Sequence, residues 1–230
     1  MKPTMLISAG DTALGNHLVE KALADGFNVV ATTTPLPRRK PNQRTKDAEK
    51  RAENERLLLV PWTRQSPVSA RNLILCGLNS FDTIDDAIIV HNLTKEMRTL
   101  HELPSAFIQE AIDAQLKSHV FLIKELISHF LKRKEGSLSL VVNREGAGVL
   151  SAIDSLLTSG FTALAASLFS VYQNEHLVIN GFDSISTDAE DYASFILSAT
   201  SEKGRRNTGK WHTHAAKGGF LRAGLLAKNR

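Results

Sequence analysis

The residues with the clearest chemical meaning form the turn Ser8-Ala9-Gly10-Asp11-Thr12-Ala13-Leu14-Gly15. It joins an apolar run, residues 4–8, to a stretch with Leu14, Leu18, Ala22 and Leu23 at helical spacing. A glycine-containing turn from a strand into a helix turns backbone N–H groups and the positive helix end outward, where a pyrophosphate can sit. Only Gly10 and Gly15 are glycines here, so the pattern is weak as a bare motif. Acid/base chemistry needs an imidazole or a carboxylate within reach of the reacting proton, and His17, His91 and Asp154, with Asn143, are the candidates. No Gly-x-Ser-x-Gly occurs, and the single cysteine, Cys76, follows Leu73-Ile74-Leu75, where a buried, inert thiol is expected. The eight histidines show no His-x-x-x-His, and His212-x-His214 is at most a weak ligand pair, so no metal is expected.

These residues need a scaffold, and its elements are legible. Residues 4–8, 27–32, 57–60, 87–90, 138–142 and 177–179 are short continuous apolar runs, the pattern of strands buried on both faces. Helical periodicity runs over about 105–132, 151–172 and 189–198, and the last of these has Thr187 or Asp188 as its expected cap. Residues 35–56 are polar and charged, a loop leading into an exposed helix. Strands alternating with helices along the whole chain predict one doubly wound α/β domain spanning 1–230.

Composition narrows the class. With 230 residues and 42% of them hydrophobic, the chain can build a core, and disorder is excluded. One cysteine allows no internal disulfide, so a reducing, cytoplasmic setting is expected. No apolar stretch of signal-peptide length precedes Gly10. Residues 146–172 carry only Asp154 as a charge, but their Ser, Thr, Gly and Ala content fits a buried helix better than a membrane span. Lys and Arg number 28 against 24 Asp and Glu, a net +4. Residues 203–230 carry eight Lys or Arg and no acid, so an acidic body of −4 precedes a basic end.

The turn 8–15, the strand ending Ile84-Asp85-Asp86-Ala87-Ile88-Ile89-Val90, the helix with Asp113-Ala114-Gln115-Leu116, the strand 136–143 and the late Thr208-Gly209-Lys210 stand in an order and spacing that resemble the short-chain dehydrogenase/reductase family over nearly the whole chain. The resemblance implies a three-layer Rossmann fold with a mostly parallel seven-stranded sheet, whose last strand and tail lie in 203–230. It also implies an NAD(P) site on Ser8, Gly10, Thr12, Leu14 and Gly15 of the turn, Thr33 and Arg38 after the second strand, and His91 after the fourth. The family's Thr-Gly-x-x-x-Gly-x-Gly falls on Ser8, Ala9, Ala13 and Gly15, with two glycines replaced by alanine. Its Asn-Asn-Ala-Gly falls on Val90-His91-Asn92-Leu93 and keeps none of those residues in place. After the second strand the chain reads Thr32-Thr33-Thr34 and then Arg38-Arg39-Lys40; with no acid there for the ribose, NADP is expected over NAD.

The family's reductases use a Tyr whose pKa is lowered by a Lys four residues on, a Ser and an Asn. Carried over, the Asn and Ser positions fall on Gln115 and Asn143, and the Tyr and Lys positions near Asp154 and Thr158. No Lys or Arg lies between Glu145 and Glu202, and neither Tyr172 nor Tyr192 begins a Tyr-x-x-x-Lys. An unassisted tyrosine, with a pKa near ~10, is a poor base at neutral pH. The substrate lid after the sixth strand is also cut down, passing from Asn180-Gly181 almost directly into a helix.

Three functions follow as expectations. The first is a binding, regulatory or structural subunit without the family's oxidoreductase activity. The second is an NADP-dependent oxidoreductase with an atypical site. The third is polyanion or nucleic-acid binding by the basic end, which is disfavoured because only Trp211 and Phe220 interleave aromatic rings there. A homodimer or homotetramer through helices 105–132 and 151–172 is expected, since a helix as apolar as the second needs burial on more than one side.

Overall fold

The computed structural model describes residues 2–35, 55–200 and 208–214. Arg38, most of the charged stretch 35–56 and most of the basic segment 203–230 lie outside them. Seven strands, β1 (Thr4–Ile7), β2 (Asn28–Thr33), β3 (Leu57–Pro61), β4 (Asp86–Asn92), β5 (Ser137–Asn143), β6 (Val178–Ser184) and β7 (Trp211–His214), form one sheet in the order β3-β2-β1-β4-β5-β6-β7. Every pairing is parallel, with Leu6 facing Val30 on one side and Ala87 on the other. The strand order reverses between β1 and β4, the switch point beyond whose carboxyl ends such sheets bind ligands.

Alternation along each strand separates two apolar layers. Leu6, Ile89, Leu138 and Leu140 face α2 (Pro67–Phe81), α4 (Ser118–Arg133) and α5 (Ala152–Val171), whose Leu73, Leu126, Phe130 and Phe161 close that side. Met5, Ile7, Ile88, Val90 and Phe182 face α1 (Ala13–Ala24) and α6 (Ala189–Thr200) through Leu14, Leu18, Tyr192 and Ile196. Side-chain oxygens of Thr12, Ser66, Ser151 and Asp188 accept the first-turn amides of α1, α2, α5 and α6, which fixes where each helix leaves the sheet.

Three features differ from the sequence reading. The helix expected over 105–132 is α3 (Ser105–Ile112), a π turn (Asp113–Lys117) and α4, so one extra residue is inserted where Gln115 stands. β6 is longer than the apolar run 177–179 and includes Asn180-Gly181, where Gly181 is required because a Cβ would enter the Trp211 ring at 2.4 Å. Cys76 is exposed rather than buried: α2 turns Ala70, Leu73, Ile74 and Gly77 inward and leaves the thiol on its outer face.

α5 is long and apolar enough, by length and composition, to cross a membrane. In the fold it buries one stripe, Phe161 and Ala165 in the core layer of the sheet and Ile153 and Leu157 against Leu103 and, in α3, Ala111. Its outer side and α4 frame an apolar groove of about 390 Å³ lined by Val120, Ile127, Leu131, Leu164, Leu168 and Tyr172.

Candidate functional site

The turn after β1 is held at several points. Ser8 Oγ accepts the Val90 amide at 2.8 Å, and Thr32 accepts the Ala9 and Gly10 amides through its hydroxyl and its carbonyl, both at 2.9 Å. Ala9, at the family's first glycine, has φ 59°, a left-handed conformation that costs an alanine roughly 1–2 kcal/mol. Thr12 caps α1: its hydroxyl donates to the Ala9 carbonyl at 2.8 Å and accepts the Gly15 amide at 3.1 Å. The first intrahelical bond is Asn16 N–H to the Thr12 carbonyl, so the Ala13 and Leu14 amides open the helix ahead of it. Gly10 packs so closely that a Cβ would stand 2.8 Å from the Ala31 Cβ. The Leu14 side chain lies in the core, and the Thr33 carbonyl accepts the Trp62 amide at 3.0 Å. His17 pairs with Glu20 along the helix at 3.8 Å.

The sequence placed no acid at the end of β2, but the fold puts one there. Asp11 Oδ2 accepts both the Thr34 amide, at 2.8 Å, and the Thr34 hydroxyl, at 2.6 Å. Next to it a cavity of about 220 Å³ is lined by Thr34, Trp62, Arg64, Glu110 and Ala114. Arg64 lies 5.1 Å over the Trp62 ring and reaches toward the Ala114 carbonyl at 3.5 Å; burial lowers its pKa and the Asp11 carboxylate opposes that. The Trp62 ring N–H is buried without a partner. Asp11, Trp62 and Arg64 were not among the sequence candidates. Their signal is spatial, since the turn, β2 and β3 meet only at the sheet's carboxyl edge.

At the other end of the cleft Asn143, Asp154 and Thr158 are tied to the end of β4 and the loop after it. Asn143 Nδ2 donates to Asn92 Oδ1 at 2.9 Å, joining the ends of β5 and β4. Asp154 Oδ1 accepts the Thr94 amide at 2.7 Å and the Thr94 hydroxyl at 2.8 Å, while Oδ2 takes the Ser151 hydroxyl at 3.1 Å. Thr158 Oγ1 lies 3.2 Å from His91 Nε2, and both side chains are buried. Lys95 completes the seam by pairing with Glu145 at 2.9 Å. His91 stacks on Phe161 and meets His119 edge-on, their ring centres 5.8 Å apart. Burial pushes His91 down to about 4, with Asp154 opposing and Arg64 adding to the shift, and pushes His119 well below the usual range. Neither His119 nitrogen makes a well-formed hydrogen bond, although the Gln115 and Val90 carbonyls lie close enough to favour its charged form slightly. The Gln115 Oε1 is buried and unpartnered.

Ser184, His214 and Asp191 form a third chain, with Ser184 Oγ 3.0 Å from His214 Nδ1 and His214 Nε2 3.0 Å from Asp191 Oδ2. Ser184 Oγ also accepts the Ser186 amide and is 1% exposed, so this relay ties β7 to β6 and α6 rather than presenting a nucleophile. His214 is thereby committed within the protein, and no group of three His, Cys, Asp or Glu suited to a metal occurs among the described residues. Tyr192 donates to the Val142 carbonyl at 3.1 Å, and burial drives its pKa far upward. Tyr172 lines the groove beside α4, remote from the cleft.

No family model and no curated protein matches this sequence. Solved structures do match. A protein described as a 3-oxoacyl-reductase from Bacillus thuringiensis is 19% identical, with a TM-score of 0.77 over 94% of this chain and 97% of its own. A short-chain dehydrogenase from Bacillus anthracis is 14% identical, with a TM-score of 0.79 over 92% and 94%. A 3-ketoacyl-ACP reductase from Sinorhizobium meliloti is 16% identical, with a TM-score of 0.73 over 92% and 97%. At these identities the likeness is one of fold: the described residues have the seven-stranded Rossmann-like architecture of these proteins.

Proposed function

We propose that this chain is a short-chain dehydrogenase/reductase-like protein that keeps the adenosine side of a dinucleotide cleft and has given up the family's hydride-transfer chemistry, acting as a binding or regulatory subunit. The observation that carries this reading is the seam Asn92–Asn143, His91–Thr158 and Thr94–Asp154. Three of the four side chains at the reductase positions, Asn143, Asp154 and Thr158, are engaged by Asn92, Thr94 and His91 at the end of β4 and just beyond it. The adenosine side fits a nucleotide better: two close-packed glycines, two leading helix amides and the Asp11 carboxylate meet at one edge. A bound NAD(P) would supply a transferable hydride. Among this chain's residues, the Ala13 and Leu14 amides would hold its diphosphate and Asp11 its ribose.

Hydride transfer needs a proton at the substrate oxygen, and Asp154, near the position where the family's reductases carry their Tyr, is already an acceptor of three hydrogen bonds. With either reduced nucleotide and a panel of carbonyl compounds that includes 3-oxoacyl thioesters, no consumption above the blank is expected. The second reading, an NADP-dependent oxidoreductase with an atypical site, is favoured by the likeness of fold to reductases over 92–94% of the chain. Turnover that Asp154→Asn abolishes would establish it.

Self-association belongs to the same proposal. The groove between α4 and α5 leaves Val120 45% exposed beside half-buried Leu164 and Leu168, an apolar face suited to a second copy. A dimer or tetramer is expected by light scattering at micromolar concentration, and Val120→Glu, at a site exposed in the monomer, is expected to dissociate it. A monomeric parent protein would contradict this. The setting proposed is the reducing cytoplasm, which suits an exposed, unpaired Cys76.

A further inference from the structure

We propose that Asp11 makes this cleft selective for adenine nucleotides with a free 2′-hydroxyl, such as NAD(H) or ADP, over their 2′-phosphorylated counterparts. The proposal rests on reading the cleft as a nucleotide site and reverses the preference expected from the sequence of β2. In dinucleotide folds the acid that accepts the ribose hydroxyls stands at the end of the second strand, about 20 residues beyond the glycine turn. Here that position belongs to threonines, and the carboxylate arrives instead from within the glycine turn itself.

The Asp11 carboxylate is fixed. The Thr34 amide and hydroxyl both bind Oδ2, which anchors the group at the end of β2 and leaves Oδ1 as an acceptor on an exposed residue. A vicinal diol offers two donors to such an oxygen. A 2′-phosphate offers none when ionised and brings a charge of about −1.5 to −2 against a carboxylate that cannot turn away. Among the described residues Arg64 is the cation placed to offset this, but its guanidinium is laid on the Trp62 ring and directed at the Ala114 carbonyl, in the field of Asp11 itself. The adjoining cavity of about 220 Å³, whose lining includes Trp62 with its unpartnered ring N–H, has room for one planar group rather than a whole dinucleotide.

The full-length protein is titrated with ADP and 2′-phospho-ADP, and separately with NADH and NADPH, following tryptophan fluorescence and the melting temperature. The parent protein is expected to bind the unphosphorylated member of each pair at least about tenfold more tightly. Asp11→Asn is expected to bring the ratio below about threefold, mainly by improving the 2′-phosphorylated ligand, and Thr34→Val to reduce it partially. Arg64→Gln should leave the order of preference unchanged. Equal or tighter binding of the 2′-phosphorylated ligands, or a ratio untouched in Asp11→Asn with its fold intact by circular dichroism, overturns the role of Asp11 while leaving the nucleotide site standing. Absence of binding by all four ligands at millimolar concentration overturns the nucleotide site and this proposal together.

Discussion

Gly15→Ala is expected to lower the melting temperature by roughly 6–12 °C, taking a cost of about 3 kcal/mol and 2–4 °C per kcal/mol for a chain of this size. A Cβ at Gly15 would stand 1.9 Å from the Ala9 carbonyl oxygen, 2.7 Å from the Ala9 carbonyl carbon and 3.0 Å from the Gly10 Cα. All three atoms are backbone, so no side chain can rotate aside. The same carbonyl accepts the Thr12 amide and hydroxyl, so any displacement also undoes the cap of α1. Nucleotide affinity is expected to disappear with it. Gly26→Ala is the control: its φ is 91° and no atom lies within 4 Å of the added Cβ, so only backbone strain of about 1 kcal/mol is imposed. Thermal melts of the two variants side by side measure the difference. A Gly15→Ala protein melting within a degree or so of the parent would mean that the turn is not packed as described.

Acidification is expected to destabilise the parent protein by roughly 3 kcal/mol between pH 7 and pH 4 through His91, with His119 adding in the same direction. Burial takes His91 from 6.5 to about 4, and His119 moves in the same direction. A histidine whose folded pKa is depressed binds fewer protons folded than unfolded between the two values. The contribution of His91 is therefore fully present above pH 6.5, is lost as the pH falls toward about 4, and does not change further below that. His119→Leu removes one of the two groups and leaves no nitrogen without a hydrogen bond in an apolar site. It is expected to match or exceed the parent's stability at pH 7.5 and to show a shallower loss at pH 4.5. Urea midpoints at the two pH values measure this directly, and the difference between variants cancels the carboxylates common to both. Parallel pH slopes in parent and variant would contradict the burial of a neutral His119.

Much of the scaffold was legible because parallel strands buried on both faces need continuous apolar runs, and 57–60, 87–90 and 138–142 each mark a strand. Their limits were not, because β4 and β5 end in His91-Asn92 and Asn143, polar residues whose side chains bond partners 51 and 67 positions away. The glycine turn was legible from two glycines and a helical pattern. The left-handed Ala9 came from the alanine standing at a glycine position. The acid of the adenosine end was missed for a physical reason: a side chain can reach the end of a neighbouring strand from a loop, and linear spacing does not record that reach. Cys76 was misjudged because an apolar run inside a helix contributes only every third or fourth residue to the core.

The central claim is nucleotide binding without hydride transfer. It is tested most directly by a single titration with NADH in which tryptophan fluorescence and reduced-nicotinamide absorbance are read together, before and after 3-oxoacyl thioester and other carbonyl compounds are added. The predicted result is saturable fluorescence quenching with no protein-dependent fall in absorbance. A protein-dependent loss of the reduced nicotinamide, or quenching that never saturates, would contradict it.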